Sequence, residues 1–296
     1  MTTVDENVTR RTARVGLLQT AYAGSRDRML DEVDELIKQA DAESVQIVCL
    51  QELFASPYPS QSEDHRNFDF AEPLDGPTVS RMRNVARKHG VVVVIPIFER
   101  RAPGIYHNTV VVADADGEIA GIYRKMHIPD DPLFYEKFYF TPGDLGFRVI
   151  NTQFGRLGVA ICWDQWFPEA ARLMALSGAE ILLYPTAIGW IKGEKEEFGA
   201  GQFDAWQTTM RAHSIANGVW LGAPNRVGVE GDIEFWGGSF IASPRGEIIK
   251  QASAKDESML IADCNLDEID VVRTHWPFLR DRRIDSYGNL LKRFVD

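Results

Sequence analysis

Short, densely apolar runs alternate with stretches of 3–4 spacing along most of this chain, and that alternation sets the fold class. Residues 91–98 (Val91-Val92-Val93-Val94-Ile95-Pro96-Ile97-Phe98) have no polar face. They predict a strand covered on both sides. Runs at 15–19, 45–50, 157–161, 181–184 and 219–223 predict further strands. Between them lie helix signatures. Ser25 caps a predicted helix whose apolar face is Met29, Val33, Leu36, Ile37 and Ala40. A second covers 78–89 and stops at Gly90. A third covers 168–177, with Pro168 in its first turn and Gly178 beyond its end. A fourth covers 203–217, with Gly218 as the stop. Two strand signals, 109–113 and 119–123, flank Asp116-Gly117 and predict a hairpin. Runs at 238–242, 247–249 and 259–263 complete the set. Strands alternating with helices, hairpins among them, predict an α/β fold with mixed sheets. No linker or short repeat interrupts residues 14–296, so one domain is expected, with a tail from about residue 265. The polar, mixed-charge residues 1–13 are expected to form a disordered arm.

Several chemistries are excluded by reading. Thirty-two basic against 43 acidic residues give a net charge of -11, which argues against nucleic acid as a ligand and mildly favours a cationic small molecule. The longest apolar run, 91–98, is far short of the roughly 20 residues that cross a bilayer, so no membrane partner is expected. Three cysteines cannot form a complete disulfide framework, and the polar N-terminus lacks a signal-peptide core; both point to the cytoplasm. There is no P-loop, dinucleotide, zinc-protease, C-x-x-C or G-x-S-x-G motif.

Cys162 closes the apolar run 157–161 and stands just before the helix expected at Pro168. Ligands of α/β sheets bind at the carboxyl ends of strands, and a helix N-terminus lowers a thiol pKa. That makes Cys162 the candidate nucleophile, against the alternative of an inert core cysteine. Cys49, inside a strand run, and Cys264 are expected to be structural. Glu52 closes the run 45–50, and Lys125 closes 119–123. A carboxylate can take the thiol proton, and a lysine can hold an oxyanion. Spacing alone does not bring the three together. A Cys–His dyad with His127 is the competing arrangement.

Three segments together resemble the nitrilase superfamily of carbon–nitrogen hydrolases. They are Leu50-Gln51-Glu52-Leu53-Phe54, Tyr123-Arg124-Lys125-Met126-His127-Ile128-Pro129 and Gly158-Val159-Ala160-Ile161-Cys162-Trp163-Asp164. The resemblance implies a four-layer α-β-β-α sandwich with a Glu–Lys–Cys catalytic set, matched by Glu52, Lys125 and Cys162. It implies a second glutamate at Glu136, which holds Lys125; read alone, Glu136 is one acid in an aromatic-rich loop. It also implies no metal or cofactor and a homo-oligomer, to which the aromatic-rich tail would contribute.

Finer features resemble the N-carbamoylputrescine amidohydrolase branch: Cys162-Trp163-Asp164-Gln165-Trp166-Phe167-Pro168-Glu169, Lys137-Phe138-Tyr139-Phe140 and Trp276-Pro277-Phe278-Leu279-Arg280-Asp281. The implied substrate is a small cationic ureido compound of polyamine synthesis. Its carbonyl oxygen would be held by Lys125 and the backbone N–H of Trp163. Its amine tail needs a carboxylate or an aromatic cage. Glu194, in the acidic loop 193–197, is the first choice, with Tyr58 and Trp190 as walls and Thr186 on the strand end before them. Other branches, such as β-ureidopropionases, N-carbamoyl amino acid hydrolases and aliphatic amidases, are the rivals, and a non-catalytic binding member is a third reading. A substrate with an acidic tail would need an arginine clamp, for which Arg172 and Arg211 are the candidates.

Overall fold

The computed structural model describes residues 11–295. The first half of the chain supplies β1 (Thr12–Gln19), α1 (Arg26–Ala42), β2 (Ile47–Cys49), α2 (Pro77–His89), β3 (Val92–Ala102), β4 (Ile105–Ala113) and β5 (Ile119–Arg124). A single helical turn follows, α3 (Glu136–Tyr139). Then come β6 (Val149–Thr152), β7 (Gly155–Val159), α4 (Pro168–Leu176), β8 (Ile181–Leu183), β9 (Gly189–Ile191), α5 (Lys195–Asn217) and β10 (Trp220–Ala223). The chain closes with β11 (Val227–Glu230), β12 (Ile233–Trp236), β13 (Phe240–Ala242), β14 (Ile248–Gln251), β15 (Ser258–Asn265) and α6 (Glu268–His275).

These strands build two six-stranded mixed sheets, ordered β15-β1-β2-β3-β4-β5 and β14-β13-β10-β8-β7-β6, and a small sheet β11-β12-β9. Side-chain alternation explains the layering. In β3, Val92 and Val94 enter the core between the sheets, while Val93, Ile95 and Ile97 pack outward with Met29, Val33 and Ile37 of α1 and Met82 and Val85 of α2. The same split divides Val110 and Val112 from Val111 in β4. Across the central core lie Leu157, Val159, Ile181 and Leu183, backed by Met174 of α4 and Trp206 and Met210 of α5. Helix, sheet, sheet, helix is the four-layer order expected.

The helix ends behave as their residues dictate. Ser25 accepts the Arg28 N–H as N-cap of α1, and Gly90 closes α2 in the left-handed region at φ 64°. Two expectations need correction. The arm expected over residues 1–13 ends sooner: Thr12 and Ala13 belong to β1, paired with Asn265 and Cys264 of β15, because that edge offers a backbone ladder; residues 1–10 lie outside the described residues. The loop expected at 193–197 is in large part the first turn of α5, where Glu196 and Glu197 suit the positive end of the helix dipole. No helix among the described residues is long and apolar enough to cross a membrane.

Candidate active site

Glu52, Lys125 and Cys162 each stand just beyond the carboxyl end of a strand, after β2, β5 and β7 respectively. β2 and β5 belong to one sheet and β7 to the other, so docking the two sheets brings the three segments together. Lys125 is fully buried, and its Nζ donates to Glu52 Oε1 at 2.8 Å and to Glu136 Oε2 at 2.7 Å. Glu136, the first residue of α3, is held in turn by the Tyr58 hydroxyl, which donates to Oε1 at 2.9 Å. Asn108 of β4 donates to Glu52 Oε1 at 2.7 Å. Glu52 Oε2 is buried with no hydrogen-bond partner among the described residues, so one oxygen of this carboxylate is free to take a proton.

Cys162 opens a tight turn, Cys162–Trp166, that leads into α4. Its φ is 40°, a left-handed value that only surrounding contacts can hold in place. Its N–H donates to Pro185 O at 2.9 Å. Asp164, fully buried, fastens the turn on both sides. Its Oδ2 accepts the Ile161 N–H at 3.0 Å and the Tyr123 hydroxyl at 2.7 Å, and its Oδ1 accepts the His127 N–H at 2.9 Å. The His127 ring nitrogen Nδ1 also meets Asp164 Oδ1 at 2.7 Å, and the ring stacks on Phe167 at 3.7 Å. His127 is thus engaged with Asp164, which leaves Glu52 as the free proton acceptor and disfavours the dyad.

The electrostatics correct one expectation. A helix N-terminus was expected to lower the thiol pKa. Instead burial pushes the Cys162 thiol well up, and Glu52 and Glu136 add to the rise against Lys125 and the Ala187 N–H. At rest the site therefore holds a neutral thiol, and its proton must leave as the sulfur attacks. Burial would pull Lys125 down, but Glu136 and Glu52 overcome it and the net direction is upward, so the lysine stays charged. Burial raises Glu136 to about 7 against the pull of Lys125.

A cavity of about 430 Å³ opens over Cys162. Trp163, Trp166, Phe134 and Trp236 form aromatic walls, and Asp131, Glu136 and Glu194 line it with carboxylates. No lysine or arginine is among its lining residues. Of the predicted wall residues, Trp163 and Glu194 line this space. Tyr58 does not: it is buried behind Glu136. Thr186 is fully buried too, donating to Tyr184 O at 2.8 Å and bridging through its backbone to Asn225, and it is not among the lining residues. Trp190 faces the opposite side of β9, where its indole N–H donates to Gly199 O and Lys195 sits over its ring at 4.5 Å. Neither clamp candidate reaches the cavity: Arg172 and Arg211 are not among its lining residues, and Arg211 donates to Gly246 O. Sequence reasoning missed Asn108 and Asp131. A buried polar triplet, His107-Asn108-Thr109, feeding an apolar strand was the available signal for the first. Among the described residues no group of three His, Cys, Asp or Glu could hold a metal. A buried thiol, a carboxylate with a free oxygen and an ammonium are the groups that acyl transfer through a thioester requires.

Comparison with known proteins agrees with this chemistry. The carbon–nitrogen hydrolase family model matches residues 11–274. An N-carbamoylputrescine amidase from Arabidopsis thaliana is 45% identical over 291 residues, covering 95% of this chain and 96% of that protein. A crystal structure of a carbon–nitrogen hydrolase from Helicobacter pylori G27 superposes with a TM-score of 0.93 at 49% identity, over 96% of this chain and 100% of that one. A mutant amidase from Nesterenkonia sp. AN1, 26% identical with a TM-score of 0.76 over 95% of this chain and 97% of that one, carries the acetamide moiety of fluoroacetamide covalently on its active-site cysteine. The chain is a carbon–nitrogen hydrolase of the nitrilase superfamily, an enzyme acting on carbon–nitrogen bonds.

Proposed function

We propose that this enzyme hydrolyses the ureido group of N-carbamoylputrescine to putrescine, carbon dioxide and ammonia. The observation that carries the reading is the charge of the cavity: carboxylates at Asp131 and Glu194, aromatic walls, and no lysine or arginine among its lining residues. Such a lining suits an ammonium tail and offers nothing to a carboxylate tail. The likeness to the plant amidase points the same way.

In the proposed reaction Glu52 Oε2 takes the thiol proton as Cys162 Sγ attacks the ureido carbon. Lys125 Nζ and the Trp163 N–H hold the oxyanion. The proton passes to the leaving nitrogen, ammonia departs, and the carbamoyl group remains on sulfur. Water then attacks, giving up its proton to Glu52 or Glu136. The thioester bond breaks, the proton returns to sulfur, and the released carbamate decomposes to amine and carbon dioxide. Glu136, held by the Tyr58 hydroxyl, keeps Lys125 in place while the thiol attacks. No metal or cofactor is invoked. The three free cysteines fit a cytoplasmic enzyme. Self-association through the C-terminal tail belongs to the same proposal.

Ammonia release from N-carbamoylputrescine and from N-carbamoyl-β-alanine, measured in parallel, tests the reading. The cationic compound should be turned over and the acidic one not, with Cys162→Ser inactive on both. Asp131→Asn and Glu194→Gln should each raise KM for the cationic compound about tenfold with kcat little changed. Preference for the acidic compound, or an unmoved KM in both variants, would sink the assignment.

A further inference from the structure

The turn that carries Glu52 buries its carbonyl oxygens away from any strand or helix ladder. Within it Leu53 has φ 49°, a conformation leucine keeps only under constraint. Arg226, between β10 and β11, reaches across from the other half of the molecule to this turn. Its side chain is 1% exposed. Nη2 donates to Leu53 O at 2.8 Å and lies 3.1 Å from Ser56 O and 3.3 Å from Glu52 O. Nη1 pairs with Glu230 at 2.5 Å. The other Glu230 oxygen accepts the Tyr58 N–H at 2.8 Å, and the Tyr58 hydroxyl in turn holds Glu136. The preceding residue, Asn225, grips the backbone N–H and C=O of Ile188, which lines the cavity.

We infer that Arg226 is a positioning residue for the hydrolysis: its guanidinium fixes the turn that aims the free oxygen of Glu52 at the Cys162 thiol, and Glu230 holds the guanidinium in place. The inference rests on Glu52 acting as the base. The two prongs of the guanidinium hold both sides at once, Nη2 on the carbonyls of the turn and Nη1 on Glu230, a rigid two-sided grip that a lysine ammonium on a flexible stem provides poorly. Arg226 does not line the cavity, so its loss should reach the chemistry and leave substrate binding alone.

The experiment uses Arg226→Ala, Arg226→Lys and Glu230→Gln, with circular dichroism and thermal unfolding as fold controls. A misaimed base costs on the order of 100-fold, so Arg226→Ala should lower kcat by about that factor with KM nearly unchanged. Free guanidinium should restore part of the loss. Arg226→Lys and Glu230→Gln should show smaller falls in kcat. A substrate-independent arm follows alkylation of Cys162 by iodoacetamide, which Glu52→Gln and Arg226→Ala should slow alike. If Glu52→Gln slows alkylation and Arg226→Ala does not, the inference fails while the base assignment stands. If Glu52→Gln has no effect, the base assignment fails and takes the inference with it. Loss of activity only in step with loss of fold, without rescue by guanidinium, would reduce Arg226 to a structural role. Should Arg226→Ala not fold, unchanged kcat in the other two variants would overturn the proposal.

Discussion

Glu136 sits with its carboxyl raised to about 7 because it is buried, and Lys125 and Tyr58 only partly offset that cost. Only the carboxylate form can brace the Lys125 ammonium. We therefore expect kcat/KM to climb as pH rises through about 7, and the climb to flatten in the weakly active Glu136→Gln variant. Stability should move the opposite way. Between the ordinary value of 4.5 and about 7 the folded chain keeps a proton that the unfolded chain has released. Unfolding temperature should thus decline across that window as pH rises, and Glu136→Gln should remove the slope. At this scale the sequence singled out Glu52, Lys125 and Cys162, each at the end of an apolar run, and docking of the two sheets brings the three segments together. It was a poor guide to Tyr58, Thr186 and Trp190. Which way a ring or hydroxyl points depends on its hydrogen-bond partner, and for these three that is Glu136, far off in sequence, the Tyr184 carbonyl two residues back, and Gly199 of α5.

Among the elements, the segment beyond β5 illustrates how a small residue holds a reactive one. The Gly143 N–H donates to Lys125 O at 2.7 Å, and a Cβ built on Gly143 would come within 2.1 Å of the Arg124 carbonyl oxygen. Backbone cannot yield there as a flexible side chain would. Arg124 itself is anchored by a two-pronged buried pair with Glu99, both contacts at 2.7 Å. Gly143→Ala should therefore push Lys125 off its carboxylates. We expect a fall in kcat of at least about tenfold and a stability loss of about 1–3 kcal/mol, read from turnover and denaturant melts. Gly104→Ala, with open space around its Cβ, is the comparison: its φ of 76° costs strain alone, and activity should survive. The long elements were legible because one face of each repeats over several turns or pleats. β6, β11 and β12 were not. They are four-residue strands whose pairing partners, not their own patterns, make them strands.

For the molecule as a whole, the surface is uneven. Leu291 is 95% exposed, Phe294 79% and Ile284 73%, and Leu173 and Leu176 of α4 are about half exposed. Exposed apolar side chains of this kind are what the proposed self-association would cover, and Arg172 of α4 feels the charge of Arg282 in the tail. Sedimentation should give a mass at least twice that of one chain, and Leu291→Ser combined with Phe294→Ser should lower it. A lone chain at working concentrations would disprove the contact. Sequence patterning foretold the layers, but which apolar side chains of the tail and of α4 stay exposed came only with three dimensions.

The strand ends that present Glu52 and Lys125 belong to one sheet, and the one that presents Cys162 to the other. Catalysis therefore keeps time with folding. In a refolding experiment, sheet content read by far-ultraviolet circular dichroism should return before turnover does, because each sheet can pair its own strands before the two dock. Turnover would date the moment of docking, and Cys162 would act as the clock hand of the final step.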